Sequence, residues 1–335
     1  MDEIVTLNHG SGGKQTQELI SRVFLGRFGM SGPMTDSAVL DDNGYLHVFT
    51  TDSYVVDPVF FPGGNIGKLA ICGTINDLAV SGAIPMYISA SFIIEEGFPI
   101  RDLEIIAESM AGEASNAGVR IVTGDTKVVG KGKCDRLFIT TAGTGKLKPE
   151  LKHISTGEKI KPGDKLLING PLGNHAVAVL GARNNLSFSS SVISDCASLN
   201  HIIQILLAEC GEVHFMRDLT RGGLAAVLNE LTLMTGTGIY VDEKSIPVDD
   251  PVKGLCEILG FDPLNLANEG KAVFVVGDKE QGKAMKLLKS HPLGRNAAVI
   301  GEITEENRGS VRLKTFTGGM RIMAVPSGTL LPRIC

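Results

Sequence analysis

Two rhythms of apolar residues alternate along the first half of the chain. Residues 45–51 (YLHVFTT), 86–94 and 136–142 read as strands, and residues 66–81 and 101–117 carry the apolar spacing of helices, the second ending at Gly118. This reading puts Asp52 at the end of the first strand. It makes 119–122 a short strand that runs into a loop, Thr123-Gly-Asp-Thr-Lys127. Both aspartates, Asp52 and Asp125, are thereby expected at one end of a sheet.

The rhythm breaks at 147–163, a polar stretch holding Pro149, Pro162 and Gly163. It then resumes in the same style. Residues 165–169 read as a strand, and Gly170-Pro-Leu-Gly-Asn174 as a loop into a helix. Asp218-Leu-Thr-Arg-Gly-Gly223 leads into another helix reaching about Thr235, and 271–276 and 297–303 read as strands. The last nine residues lose regularity, with Pro326, Gly328 and Pro332 against any element. The pattern predicts domains over 1–150 and 151–326 and a mobile tail over 327–335. Such a tail spans roughly 30 Å when extended.

A length of 335 residues agrees with two cores. Trp is absent and aromatics make up 5%, so aliphatic residues must do the packing. The net charge is −5 and basic residues are dispersed apart from Lys131 and Lys133. That excludes a nucleic-acid footprint. No apolar run is long enough to cross a bilayer, and the start, MDEIVTLNHG, lacks the basic and apolar regions of a signal peptide. The six cysteines form no C-x-x-C pair. Neither zinc nor a disulfide framework is indicated, and reduced thiols in a cytoplasm are expected.

Five groups could carry chemistry. His9-Gly-Ser-Gly-Gly-Lys14 offers backbone N–H groups and a cation to phosphate. Asp36, Asp52, Asp77 and Asp125 are hard oxygen donors of the kind Mg²⁺ takes together with phosphate oxygens, although aspartate also caps helices and turns routinely. The glycine pair after Asp218 opens a helix whose N–H groups suit an anion. Glu269, between Asn268 and Gly270, could act as a base if buried. Cys335, the last residue, is a thiol placed to visit two sites.

Together these segments resemble the HypE family, the carbamoyl dehydratases of nickel–iron hydrogenase maturation. The stretches HGSGGKQTQELI, TDSYVVDPVFFPGGNIGKLAICGTINDLAVSGA, GDTKVV, DLTRGGLA, ANEGK and the terminal PRIC carry the likeness over essentially the whole chain. The N-terminal glycines, the NDLA segment, GDTK and the second-domain glycine loop are shared in style with aminoimidazole ribonucleotide synthetase, selenophosphate synthetase and thiamine-phosphate kinase. PRIC separates this family from those relatives.

The resemblance implies an α/β (α+β) PurM-like fold. The N-terminal domain would form a central β-barrel with a second copy in a homodimer, beside a C-terminal α+β domain. It implies ATP and Mg²⁺ in the cleft, with Asp36, Asp52, Asp77 and Asp125 as metal and phosphate ligands. His9, Gly10, Gly12, Gly13 and Lys14 would close over the nucleotide, and Asn76, Gly124, Asp218 and Arg221 would contact it. Cys335, Glu269 and Lys127 would be catalytic. The implied reaction is ATP-dependent dehydration of a carbamoyl group on Cys335 to a thiocyanate. HypF would be the carbamoyl donor and the HypC–HypD complex the cyanide acceptor. Two other readings stand beside it: a selenophosphate synthetase-like enzyme on a small substrate, disfavoured by the lack of sulfur in the N-terminal glycine loop, and a non-enzymatic nucleotide-gated scaffold or metallochaperone.

Overall fold

The structure is a computed structural model that describes residues 4–30, 35–183, 192–325, 331 and 333–335. In chain order its first half comprises α1 (Lys14–Ile20), β1 (Ala38–Asp42), β2 (Tyr45–Tyr54), β3 (Phe60–Phe61), β4 (Gly64–Asn65), α2 (Ile66–Val80), β5 (Ile84–Glu95), α3 (Ile100–Asn116), β6 (Arg120–Val129) and β7 (Leu137–Leu147). Five strands form one sheet in the order β1-β2-β7-β5-β6. Only the β5–β6 pair is parallel, and α3 supplies the crossover that parallel pairing requires.

Strand alternation gives this sheet two different faces. In β2, Leu46, Val48, Thr50 and Tyr54 are buried while Phe49 points outward. The inner face receives α2, whose start is fixed by Asn65: its side chain accepts from the N–H groups of Gly67 and Lys68 at 2.9 and 3.1 Å. Thirteen residues of α2 are buried, as expected of a helix covered on every side. The outer face stays open, with Phe49 and Ile93 exposed.

The second half comprises β8 (Lys165–Ile168), α4 (Asn174–Arg183), α5 (Asn200–Glu209), β9 (Val213–Asp218), α6 (Gly223–Thr235), β10 (Gly238–Asp242), α7 (Asp250–Leu259), β11 (Ala272–Val276), α8 (Gln281–Ser290), β12 (Ala298–Thr304), β13 (Val311–Lys314) and β14 (Met320–Ile322). Its sheet runs β14-β13-β10-β12-β8-β11-β9. Strands β9 and β11 are buried along their whole length, since α5 and α8 cover one face of the sheet and α6 the other.

Two sequence expectations change here. Asp52 lies within β2, not after it, and the stretch Thr123–Lys127 is the middle of β6, not a loop. Gly124 marks a close approach of strands: a Cβ there would collide with the carbonyl oxygen of Ala90 on β5.

The two halves are pinned through α2. The Asn76 side chain accepts from Leu199 N–H at 2.8 Å and donates to the carbonyls of Ala197 and Glu269 at 3.1 and 3.3 Å. The end of the chain returns to the first half, where Val55 N–H donates to the terminal carboxylate of Cys335 at 3.0 Å and Asp57 N–H to the Arg333 carbonyl at 3.2 Å. Of the expected tail, residues 327–330 and 332 lie outside the described residues.

Asn76→Ala leaves the buried Leu199 N–H and the half-buried Ala197 carbonyl without their side-chain partner, while the Glu269 carbonyl keeps the Ala197 N–H. We expect it to lower stability by about 2–4 kcal/mol, read as a lower urea midpoint by circular dichroism.

Candidate functional site

A cavity of about 340 Å³ opens between the two halves, lined among others by Gly12, Asp36, Asp52, Asp77, Asp218, Arg221, Glu269 and Cys335. Each side chain arrives from a separate element. Asp52 follows the inner-face alternation of β2, Asp77 projects from α2, and Asp218 ends β9. Glu269 precedes β11, and Cys335 comes with the docked chain end.

The acids are only partly satisfied. Thr50 Oγ1 donates to Asp77 Oδ2 at 2.8 Å, and Tyr54 Oη donates to Asp52 Oδ2 at 3.3 Å. Arg217, buried in β9, reaches Asp36 at 3.2 Å and Glu230 at 2.7 Å. Glu230 in turn accepts from Gln17 Nε2 at 2.9 Å, which ties α1 to α6. Among the described residues, Asp218 Oδ2 and Glu269 Oε1 are buried without a hydrogen-bond partner.

Burial pushes the Asp77 carboxyl well above the usual range, and Asp52, Asp218 and Asp36 push it further. Asp218 rises well above it for the same reasons, desolvation first and then Asp36 and Asp52, against Arg217 and Arg221. Glu269 is likewise raised by burial, then by Asp218, Asp195 and Asp52. Burial also pushes the Cys335 thiol up to about 12, against the pull of Arg221, with Glu269, Asp52 and Asp218 adding to the rise.

Crowded, desolvated carboxyls with orphaned oxygens fit a hard divalent cation. Among the described residues no three acidic, histidine or cysteine side chains converge as a closed ligand set. The acids ring an open volume instead. That suits an ion whose remaining ligands are water and the oxygens of a bound phosphate.

The sequence-derived candidates divide into those at the cavity and those away from it. Gly12 belongs to the cavity wall. Its φ is +79°, and a Cβ there would sit 2.8 Å from Arg221 Cβ, so the N-terminal glycine loop packs directly on the loop after β9. His9 and Gly10 line an adjoining cavity of about 320 Å³ that shares Arg221 and Cys335 with the first. His9 is also engaged locally, Nδ1 accepting from Thr6 N–H at 3.0 Å. Gly13 is buried at the start of α1. Lys14 is exposed and faces Glu18 at 3.8 Å.

Four candidates stand elsewhere. Asn76 spends its whole side chain on backbone groups of the second half. Gly124 sits in β6 against Ala90. Asp125 and Lys127 pair with each other at 2.6 Å on an exposed strand. Their partners in register are Ser91 and Ile93, whereas Asp52 and Ala90 both lie opposite Thr141, which is buried. Asp125 and Asp52 therefore occupy opposite faces of one sheet and cannot ligate one ion within a chain. The expectation that both follow their strands at one sheet end is corrected: each lies within its strand, at neighbouring levels of the register but on opposite faces.

Sequence reading missed Arg217, Glu230, Thr50 and Tyr54. Only Arg217 left a signal, a charge inside the otherwise apolar strand sequence VHFMRD.

Residues 34–147 match the family profile described as AIR synthase related protein, N-terminal domain, and residues 161–314 match its C-terminal domain. The carbamoyl dehydratase HypE of Rhodobacter capsulatus is 48% identical over 339 residues, covering 100% of this chain and 99% of that protein. A crystal structure of a HypE–HypF complex superposes with a TM-score of 0.86 at 46% identity, covering 92% of this chain and 99% of that one. A HypE structure in complex with ATP gives a TM-score of 0.83 at 42% identity, covering 99% and 100%.

The carboxyls whose folded values are raised hold protons that the unfolded chain has already released. They therefore make the ligand-free chain lose stability as pH rises above about 4. Asp218→Asn should flatten that slope and raise the melting midpoint at pH 7 by about 2–4 °C, measured by calorimetry across pH.

Proposed function

The chain belongs to the HypE family of carbamoyl dehydratases, and from that premise we propose that Cys335 carries the carbamoyl group on which the acidic cavity acts. The enzyme is an ATP-dependent dehydratase of hydrogenase maturation. The observation that carries the proposal is that the Cys335 thiol lines the same cavity as Asp52, Asp77, Asp218, Arg221 and Glu269.

The chemistry follows from the amide. An S-carbamoyl group, S–C(=O)–NH₂, cannot expel its oxygen as hydroxide near neutral pH. Phosphorylation of that oxygen by ATP releases ADP and converts it into the leaving group phosphate. Two N–H protons leave as S–C≡N forms, so the elements of water depart with the phosphate. The chain's residues have distinct tasks. The docked tail presents the carbonyl oxygen to the phosphate side of the cavity, and Arg221 offsets the charge that builds there. Glu269, buried with a raised pKa and an unpartnered oxygen, takes a proton from nitrogen. Asp36, Asp52, Asp77 and Asp218 would hold Mg²⁺, which would neutralise phosphate charge. The Gly12 loop closes one side of the volume.

Asp125 and Lys127 enter through a second copy. The sheet face that bears them is open and apolar around Phe49 and Ile93. Burying it in a homodimer would carry both residues to the neighbouring chain's cavity. A thiol held near 12 is a poor nucleophile in place, so loading requires the tail to leave the cavity. The relative solved with HypF supports HypF as the carbamoyl donor, and cyanide delivery to a HypC–HypD complex in the cytoplasm completes the cycle. Among the described residues no helix is long and apolar enough to cross a membrane.

After carbamoylation and addition of ATP, intact-mass analysis should show the C-terminal peptide losing one water. Cys335→Ala should abolish the signal with ATP binding retained, and Glu269→Gln should slow it by about 10²–10⁴-fold. An unchanged peptide mass in the wild-type chain would sink the assignment. For the interface, Asp125→Ala and Cys335→Ala chains are each expected to be inactive or nearly so. Mixed under subunit exchange, they should recover roughly a quarter of wild-type activity, because half of the dimers are hybrids with one intact site. Absence of recovery would return Asp125 to a role in its own chain.

A further inference from the structure

The end of the chain is held by its backbone. The Arg333 carbonyl accepts from Asp57 N–H at 3.2 Å and Arg183 Nη2 at 2.7 Å, and the terminal carboxylate of Cys335 accepts from Val55 N–H at 3.0 Å. The carbonyl between them, that of Ile334, goes to a side chain: His175 Nε2 lies 2.7 Å from it. His175 is fully buried on α4, with Phe61 edge-on to its ring at a centroid distance of 5.3 Å. Its other nitrogen, Nδ1, lies 2.8 Å from Ser194 Oγ.

The hydrogen-bond chain fixes the tautomer. The Ile334 carbonyl can only accept, so Nε2 of the neutral ring carries the proton and Nδ1 accepts from Ser194 Oγ, which itself accepts from Cys196 N–H at 3.1 Å. A neutral ring that accepts at Nδ1 carries its proton on Nε2, where it donates to the Ile334 carbonyl. Ser194 is anchored in turn, its N–H donating to Pro62 O at 2.8 Å. The imidazole is thus held by one half of the molecule on ground set by the other. The chain end it grips lies along residues 55–57, just beyond the strand that bears Asp52.

We propose that His175 is a positioning residue for the reaction: its Nε2–H fixes the peptide carbonyl that precedes Cys335 and so sets the depth at which the thiol enters the acidic cavity, with Ser194 selecting the tautomer that can do this. The bond goes to backbone, so it registers the position of the chain end and not the identity of residue 334. The catalytic consequence rests on Cys335 being the carrier. The docking itself does not.

The test uses the full-length chain and reads two quantities. One is the rate at which iodoacetamide labels the Cys335 peptide, followed by mass spectrometry. The other is single-turnover loss of water from the carbamoylated tail with ATP. His175→Ala should label Cys335 about tenfold faster and lose water about tenfold more slowly at unchanged ATP affinity, the effect of one buried hydrogen bond. His175→Gln, whose amide N–H can replace the donor, should restore most of both rates. A folded His175→Ala chain that labels at the wild-type rate would overturn the proposal. If that variant does not fold, Ser194→Ala decides: faster labelling supports the proposal and an unchanged rate overturns it. Failure of the carrier reading shows separately, as no water loss in the wild-type chain, and leaves the labelling comparison intact.

Discussion

Like charges crowded out of water are the constraint around which this molecule is built. Asp36, Asp52, Asp77, Asp218 and Glu269 share one cavity, and among the described residues that line it the cations standing against them are Arg217 and Arg221. Burial raises each carboxyl, and neighbouring acids add to the rise for all but Asp36. Such an arrangement opposes folding and persists because aliphatic packing on either side of it supplies the stabilisation. A site of this kind is poised for cationic and phosphate ligands, whose arrival relieves the repulsion among its carboxyls.

Packing places the acids where chain order does not. Helix α2 is enclosed by the first sheet, by α3, and by α5 and β9 of the second half. It can therefore present Asp77 to the cavity while Asn76, one residue earlier, locks the two halves together. Adjacent polar residues on one helix, about 100° apart in direction, end up with unrelated duties: one faces chemistry, the other is a girder.

The larger outline was legible in the sequence. Helices over 66–81 and 101–117, the glycine loop after Asp218 and the main strands all follow from apolar spacing, which local sterics and burial enforce directly. The site was legible only in part. Asp52 and Asp125 look alike as acids after apolar runs, yet strand parity sends them to opposite faces, and parity depends on where the pairing register falls. Gly124 reads as a phosphate-loop glycine but answers to crowding from Ala90. His175 carries no local mark at all. Its partners, Ser194 and Ile334, are 19 and 159 residues away, and nothing in the chain text brings them together.

Docking of the chain end along residues 55–57 has a kinetic corollary. A reactant tethered to its own catalyst needs no diffusional search, and its local concentration is set by the span of the tether, on the order of millimolar for a short flexible one. The chemical step should be first order in protein and indifferent to dilution. Any soluble mimic of the last few residues would have to displace an intramolecular rival before it could inhibit. On the role proposed for Cys335, each turnover requires the chain end to leave the cavity, be recharged and return, a cycle set by release and return more than by affinity for a free substrate.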